Sequence, residues 1–186
     1  MKRRDAVREL LAERDELLVV AGLGAPAWDV TAAGDHPLNF PMWGAMGGAA
    51  MVGLGLALAQ PDRRVLVVTG DGEMLMGIGA LATIAVQRPP NLSIVVLDNE
   101  RYGETGMQKT HTAYGVELAR MAKAAGFEGA SVVRTMIGIR RLARLVREAR
   151  GPLFAQIKVR ADKPTVVMPP RDGVLLKARF REALLG

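Results

Sequence analysis

Two short apolar runs, Val65-Leu66-Val67-Val68 and Ile94-Val95-Val96-Leu97, each lead to a polar residue that a buried strand would deliver at its carboxyl end. Asp71 follows the first run and Asn99 the second. Uninterrupted apolar runs of this length suit strands covered on both faces. The 27 residues between Asp71 and Asn99 hold one crossover helix and its return strand, which makes the two strands parallel and brings their carboxyl ends to one edge. Open α/β sheets bind ligands at that edge. A carboxylate and an amide oxygen converging there suit a hard cation such as magnesium.

The rest of the chain extends the same alternation. Asp5 to Glu13 reads as an amphipathic helix, Leu17 to Ala21 as a buried strand, and Gly22-Leu23-Gly24-Ala25-Pro26 as the turn into the next helix, with Pro26 in its first turn. Taken alone, that turn reads equally well as a plain strand-to-helix connection. Asp35 to Trp43 reads as a loop, Gly47 to Ala59 as a Gly/Ala-rich helix, and Leu75 to Val86 as a helix whose start favours a phosphate group. Glu100 to Thr112 is a polar loop. Glu117 to Ala125, Ile139 to Ala149 and Leu175 to Leu185 read as helices, and Ala130 to Arg134 and Leu153 to Val159 as strands. The pattern predicts an α/β fold with an open, mainly parallel sheet and helices on both faces.

At 186 residues, with no repeat or polar linker, residues 1–186 are expected to form one domain. There is no cysteine, which excludes disulfides and thiolate metal sites and points to the cytoplasm. The net charge is +6, but the basic residues gather in Lys2-Arg3-Arg4 and in Arg134 to Arg150 without aromatic interleaving, so no nucleic-acid partner is expected. Met42 to Ala59 carries no charge but holds five glycines after Pro41. It reads as a buried helix rather than a membrane span.

The Gly70-Asp71-Gly72 turn, followed by a helix, a strand and Asn99 with Tyr102-Gly103 shortly after, resembles the cofactor motif of the thiamine diphosphate-dependent enzymes. Trp43-Gly44-Ala45-Met46-Gly47 is similar to the stretch that holds the aminopyrimidine ring in that family. Two motifs in the family's order are far more specific than either alone, and the likeness runs over almost the whole chain. Within the family, Leu75-Met76 ahead of Gly79-Ala80-Leu81-Ala82-Thr83, Leu97-Asp98-Asn99 with Tyr102-Gly103 and Thr105-Gly106, and the run Gln108 to Thr112 resemble the decarboxylases of sulfopyruvate and phosphonopyruvate, most closely a beta-type subunit.

The resemblance implies the thiamine diphosphate-binding fold and a set of roles. Asp71 and Asn99 would bind Mg2+ by their side chains and Arg101 by its carbonyl. Gly70, backbone amides from Gly72 through Glu73 to Met74, and the turn holding Gly22 and Gly24 would take the diphosphate, with Tyr102 and Gly103 close by. Gly44 would offer its carbonyl to the exocyclic amine, and Met46 would wedge the cofactor into its bent form. Outside that motif Met46 reads as an ordinary core methionine. Glu73 departs from the small residue usual at its position. Because a carboxylate would repel phosphate, it is expected to turn away and leave only its amide in use. Asp98 replaces an asparagine and is expected to stand behind the metal ligands.

The family also needs a glutamate, carried by a pyrimidine-binding domain, to activate the cofactor, and this chain is too short to hold that domain. The resemblance therefore implies the diphosphate-binding subunit of a 2-oxo acid decarboxylase, completed by a pyrimidine-binding alpha-type subunit in a hetero-oligomer that also self-associates. The substrate would be a small anionic 2-oxo acid such as 3-sulfopyruvate or phosphonopyruvate, with Lys109 and His111 as candidate contacts to its anionic tail. A carboligase subunit of the acetolactate synthase type and a non-catalytic cofactor-binding regulatory subunit are the alternatives.

Overall fold

The computed structural model describes residues 1–186. In chain order it forms α1 (Arg3–Leu10), β1 (Leu18–Ala21), α2 (Ala25–Ala33), β2 (Asn39–Pro41), α3 (Ala49–Ala59), β3 (Val65–Gly70), α4 (Asp71–Met76), α5 (Ala80–Gln87) and β4 (Leu92–Asp98). A small hairpin of β5 (Arg101–Tyr102) and β6 (Gln108–Lys109) follows, then α6 (Leu118–Ala125), β7 (Gly129–Val133), α7 (Met136–Glu148), β8 (Leu153–Lys158) and α8 (Gly173–Leu185).

Six strands make one sheet in the order β2-β1-β3-β4-β8-β7, and every neighbouring pair is parallel. This is the α/β architecture expected from the alternation of elements. Side chains alternate across the sheet. Leu18, Val20, Val65, Val67, Ile94 and Val96 pack under α3, α5 and α6, while Val19, Ala21, Leu66, Val68, Val95 and Leu97 pack under α1, α2 and α7. Because both faces are covered, the strands read as continuous apolar runs.

The chain leaves β1 through α2 to reach β2 on one side, then returns through α3 to β3 on the other. The strand order thus reverses at β1, and a crevice opens beyond the carboxyl ends of β1, β3 and β4.

Three local expectations change. Asp35 to Trp43 is not all loop, because Asn39–Pro41 pairs with β1 as an edge strand; proline is tolerated there since an edge strand needs fewer amide donors. Leu75 to Val86 is not one helix. It is divided at Gly77, where an added Cβ would lie 2.1 Å from the Gly47 carbonyl oxygen, and the helix ending there already begins at Asp71.

The third concerns α3, which is apolar all round yet buried on one side only. Met51, Val52 and Leu58 on α3, Met76 on α4 and Val86 on α5 are exposed. No Lys, Arg, Asp or Glu occurs from Met42 to Gln60 or from Leu75 to Gln87. No helix is long and apolar enough to cross a membrane.

Candidate functional site

Asp71 is the first residue of α4, directly after β3, and it is 2% exposed. Its Oδ2 accepts from the Thr110 hydroxyl at 2.5 Å and lies 3.2 Å from the Thr112 hydroxyl. Burial pushes the carboxyl up to about 6; the Thr110 bond opposes that rise and the negative charge of Asp98 adds to it. Asp98, fully buried at the end of β4, accepts from Thr112 Oγ1 at 2.7 Å, the Glu100 amide at 3.1 Å and Gln156 Nε2 at 2.5 Å. It pairs with Lys158 Nζ at 2.8 Å. Asp98 contributes no surface to the cavity described below and stands behind Asp71, held through Thr112.

Asn99 comes next, and its Oδ1 accepts from the Arg101 amide at 2.9 Å. This is the side-chain turn that asparagine favours, closed across Glu100 at φ +63°. The turn feeds β5, so Arg101 and Tyr102 run back over the sheet edge. Asp71, Asn99, Arg101, Tyr102 and Gly103 all line one cavity of about 320 Å³ at the carboxyl ends of the strands, a size within the range of small-molecule sites.

Glycines shape its walls. A Cβ on Gly72 would sit 2.6 Å from the Tyr102 ring, so the ring lies directly on the Gly-Asp-Gly turn. Gly47, at φ +96°, packs against the backbone of Gly77, and this contact brings the preceding Met46 to the cavity wall with Gly70 and Leu97.

The Glu73 side chain turns into the protein rather than out to solvent. It is 4% exposed and on the cavity wall, and its Oε2 accepts from the Thr69 hydroxyl at 2.7 Å and the Leu23 amide at 3.1 Å. The absence of a side chain at Gly22 permits this, since a Cβ there would lie 1.9 Å from Glu73 Oε2. Burial raises the Glu73 pKa against the pull of the Thr69 hydroxyl and neighbouring amides. The carboxylate reaches good donors inside the protein, which compensates for its loss of water.

Gly22, Gly24 and Met74 do not face the cavity. Gly22 lies beneath Glu73, Gly24 beneath the Glu104 side chain, and the Met74 side chain is in the core. Gly44 is exposed and off the wall, while neighbouring Trp43 donates its indole N–H to the Pro170 carbonyl at 2.8 Å. Lys109 and His111 are also exposed and off the wall. The hairpin turns Lys109 outward, with Nζ 5.5 Å from the centre of the Tyr114 ring.

The cations on the wall are instead Arg3, Arg101 and Lys163. Arg3 is held by Asp29, leaving Arg101 and Lys163 the freer pair. Lys163 belongs to the segment after β8, whose Asp162, Pro164 and Val166 also reach the cavity. The Arg4 guanidinium ties this segment down by donating to the Thr165 carbonyl at 2.8 Å. No local motif marks these residues. The one clue in the sequence is a proline-containing stretch following the last core strand.

The donor set fits magnesium held together with a phosphorylated ligand. No group of three or more His, Cys, Asp or Glu side chains is placed to hold a metal by itself. One carboxylate, one amide oxygen and a backbone carbonyl leave half of an octahedron to water and ligand oxygens, which is how magnesium is commonly bound beside phosphates.

Comparison with known proteins gives a consistent picture. Residues 23–167 match the family model described as thiamine pyrophosphate enzyme, C-terminal TPP binding domain. The sulfopyruvate decarboxylase subunit beta of Methanothermobacter thermautotrophicus is 36% identical over 186 residues, covering all of this chain and 97% of that one. The sulfopyruvate decarboxylase of Methanosarcina acetivorans is 35% identical over 99% of this chain, which spans only 47% of that protein. The phosphonopyruvate decarboxylase of Streptomyces viridochromogenes is 36% identical over 83% of this chain and 39% of its own length. Among solved structures, a protein from Mycobacterium smegmatis described as a thiamin diphosphate-dependent enzyme superposes with a TM-score of 0.71 at 21% identity. It covers 86% of this chain and 32% of that one, and the likeness is one of fold.

Proposed function

The chain belongs to the thiamine pyrophosphate enzyme family, as a C-terminal TPP-binding domain, and from that premise we propose that it is the diphosphate-binding subunit of a magnesium-dependent 2-oxo acid decarboxylase. Residues 1–186 act in it as one cofactor-holding unit. The observation that carries this reading is the placement of Asp71 and Asn99 at the ends of the neighbouring parallel strands β3 and β4, on the wall of one cavity.

Asp71 and Asn99 offer side-chain oxygens to the metal and Arg101 its carbonyl. The Gly72, Glu73 and Met74 amides lie in the first turn of α4, beside the metal ligands, where anionic oxygens are favoured. Gly72 lets the backbone come close and lets Tyr102 cover it. Met46 supplies an apolar prop beside that turn, its Cε 3.7 Å from where a Cβ on Gly72 would lie. Thiamine diphosphate, once bound, supplies the carbanion chemistry by which a 2-oxo acid loses carbon dioxide. Arg101 and Lys163 are placed to attract an anionic substrate, and Met46, Leu23 and Pro26 limit water at the cavity wall. The decarboxylase relatives support sulfopyruvate or phosphonopyruvate as the substrate class.

In this reading the activating glutamate belongs to a second, pyrimidine-binding subunit. Support comes from the relatives' lengths, since this chain equals one whole subunit in one case and about half of a longer enzyme in another. The uncharged surface of α3, α4 and α5 supplies a face suited to assembly, because interface cores are depleted of charge. The test is decarboxylation of 3-sulfopyruvate and phosphonopyruvate by the chain alone and mixed with a pyrimidine-binding subunit. Turnover only in the mixture is expected. Full turnover by the chain alone would refute the divided site.

A further inference from the structure

One buried carboxylate sits where an anion is to be bound. Leu23 of the β1–α2 turn lines the cavity, and the Glu73 side chain lies between its amide and the Gly47 and Ala49 amides at the start of α3. Its Oε2 holds the Leu23 amide at 3.1 Å and the Thr69 hydroxyl at 2.7 Å. Its Oε1 is buried and has no hydrogen-bond partner, although the Gly47 and Ala49 amides are close enough to stabilise the charge. A buried acceptor with spare capacity is uncommon in a folded protein and calls for a reason.

We propose that Glu73 is a built-in placeholder for the diphosphate: its carboxylate occupies the Leu23 amide in the ligand-free protein and has to yield that amide when the cofactor binds. The inference rests on the diphosphate function proposed above. Its logic is that of competition, because one N–H donor cannot serve a carboxylate and a phosphate oxygen at once. Without cofactor, the carboxylate keeps the Leu23 amide paired and the turn in shape. With cofactor, the two anions repel and the charged hydrogen bond is given up. A bond of that kind corresponds to about a tenfold or greater difference in affinity. A simple brace between β1 and β3 would have the opposite signature, since its removal would loosen the turn and weaken binding.

The experiment is calorimetric titration of the full chain, with and without the pyrimidine-binding subunit, using magnesium pyrophosphate and separately thiamine diphosphate with magnesium. Wild type, Glu73→Gln and Glu73→Ser are compared, with amide hydrogen exchange followed at Leu23. Glutamine keeps the size and an acceptor oxygen without the charge, so it decides the matter if the serine variant fails to fold. Binding about tenfold or more tighter in Glu73→Gln is expected, with faster Leu23 exchange in ligand-free Glu73→Ser that slows again on binding. Unchanged or weaker binding in Glu73→Gln overturns the placeholder and leaves Glu73 a brace. No saturable binding by any of the three proteins, even with the second subunit, sinks the diphosphate function and this inference with it.

Discussion

Asp71 and Asp98 share the hydroxyl of Thr112, which lies 3.2 Å from Asp71 Oδ2 and 2.7 Å from Asp98 Oδ1. The Thr110 hydroxyl is 2.5 Å from Asp71 and 2.9 Å from Thr112. Two hydroxyl protons therefore serve two carboxylates, and the shorter distances assign the Thr112 proton to Asp98 and the Thr110 proton to Asp71. Thr112→Val keeps the shape and deletes the link. It should destabilise the fold by about 1–3 kcal/mol, the cost of leaving a buried carboxylate oxygen short of a donor. Urea unfolding measures this, and a loss under about 0.5 kcal/mol would show the link to be dispensable.

Asp71 itself has a different balance. Its carboxylate is buried at a cost in solvation, shown by the raised pKa, and its purpose in the proposed function is the metal. Asp71→Asn should therefore leave the melting temperature equal or higher while magnesium-dependent binding of thiamine diphosphate weakens by about a hundredfold or more. Stabilisation by removal of a functional group is a recognised trade-off. A variant that melts much earlier and still binds would assign Asp71 to the fold instead.

His36 ties acidity to stability away from the site. Its Nδ1 accepts from the Leu38 amide at 3.1 Å, which only the uncharged ring can do. Burial, followed by the charge of Arg14, lowers its pKa below the usual 6.5. The unfolded chain thus takes up a proton at a higher pH than the folded one. Its contribution is complete above pH 6.5 and is lost as the pH falls through the lower, folded-state value. Melting curves from pH 7.5 to 5 should show this loss, and His36→Gln should flatten it. An unchanged slope in the variant would place the effect elsewhere.

Lys163 replaces Lys109 and His111 as the residue to test for recognition of the substrate's tail, being the exposed lysine on the cavity wall. With the complete enzyme, Lys163→Ala should raise the KM for a sulfonate or phosphonate substrate about tenfold, the scale of one charged hydrogen bond. The kcat should change little. Lys109→Ala should leave both constants unchanged, and the reverse pattern would return the tail to the hairpin.

What the sequence made legible divides along physical lines. β3 and β4 are buried on both faces and separated by one crossover, so their apolar runs and the residues that follow place Asp71 and Asn99 without help from distant contacts. β2 is hidden because Pro37 and Pro41 obscure a three-residue edge strand that is identified by its pairing with β1. The division between α4 and α5 depends on the close approach of Gly77 to Gly47, a contact between segments thirty residues apart. The orientation of Glu73 depends on the empty volume at Gly22, fifty-one positions earlier. Asp162 to Val166 reach the cavity because the chain after β8 folds back over it, and nothing in their local pattern announces that.

The uncharged outer surface of α3 and α5 also has a consequence for mass action. Apolar area that a second molecule covers adds its free energy to the folded state in proportion to the logarithm of that molecule's concentration. The melting temperature of this chain should consequently rise with its own dilution reversed, climbing as the protein is concentrated or as the second subunit is added, whereas a self-sufficient fold would melt at one temperature throughout.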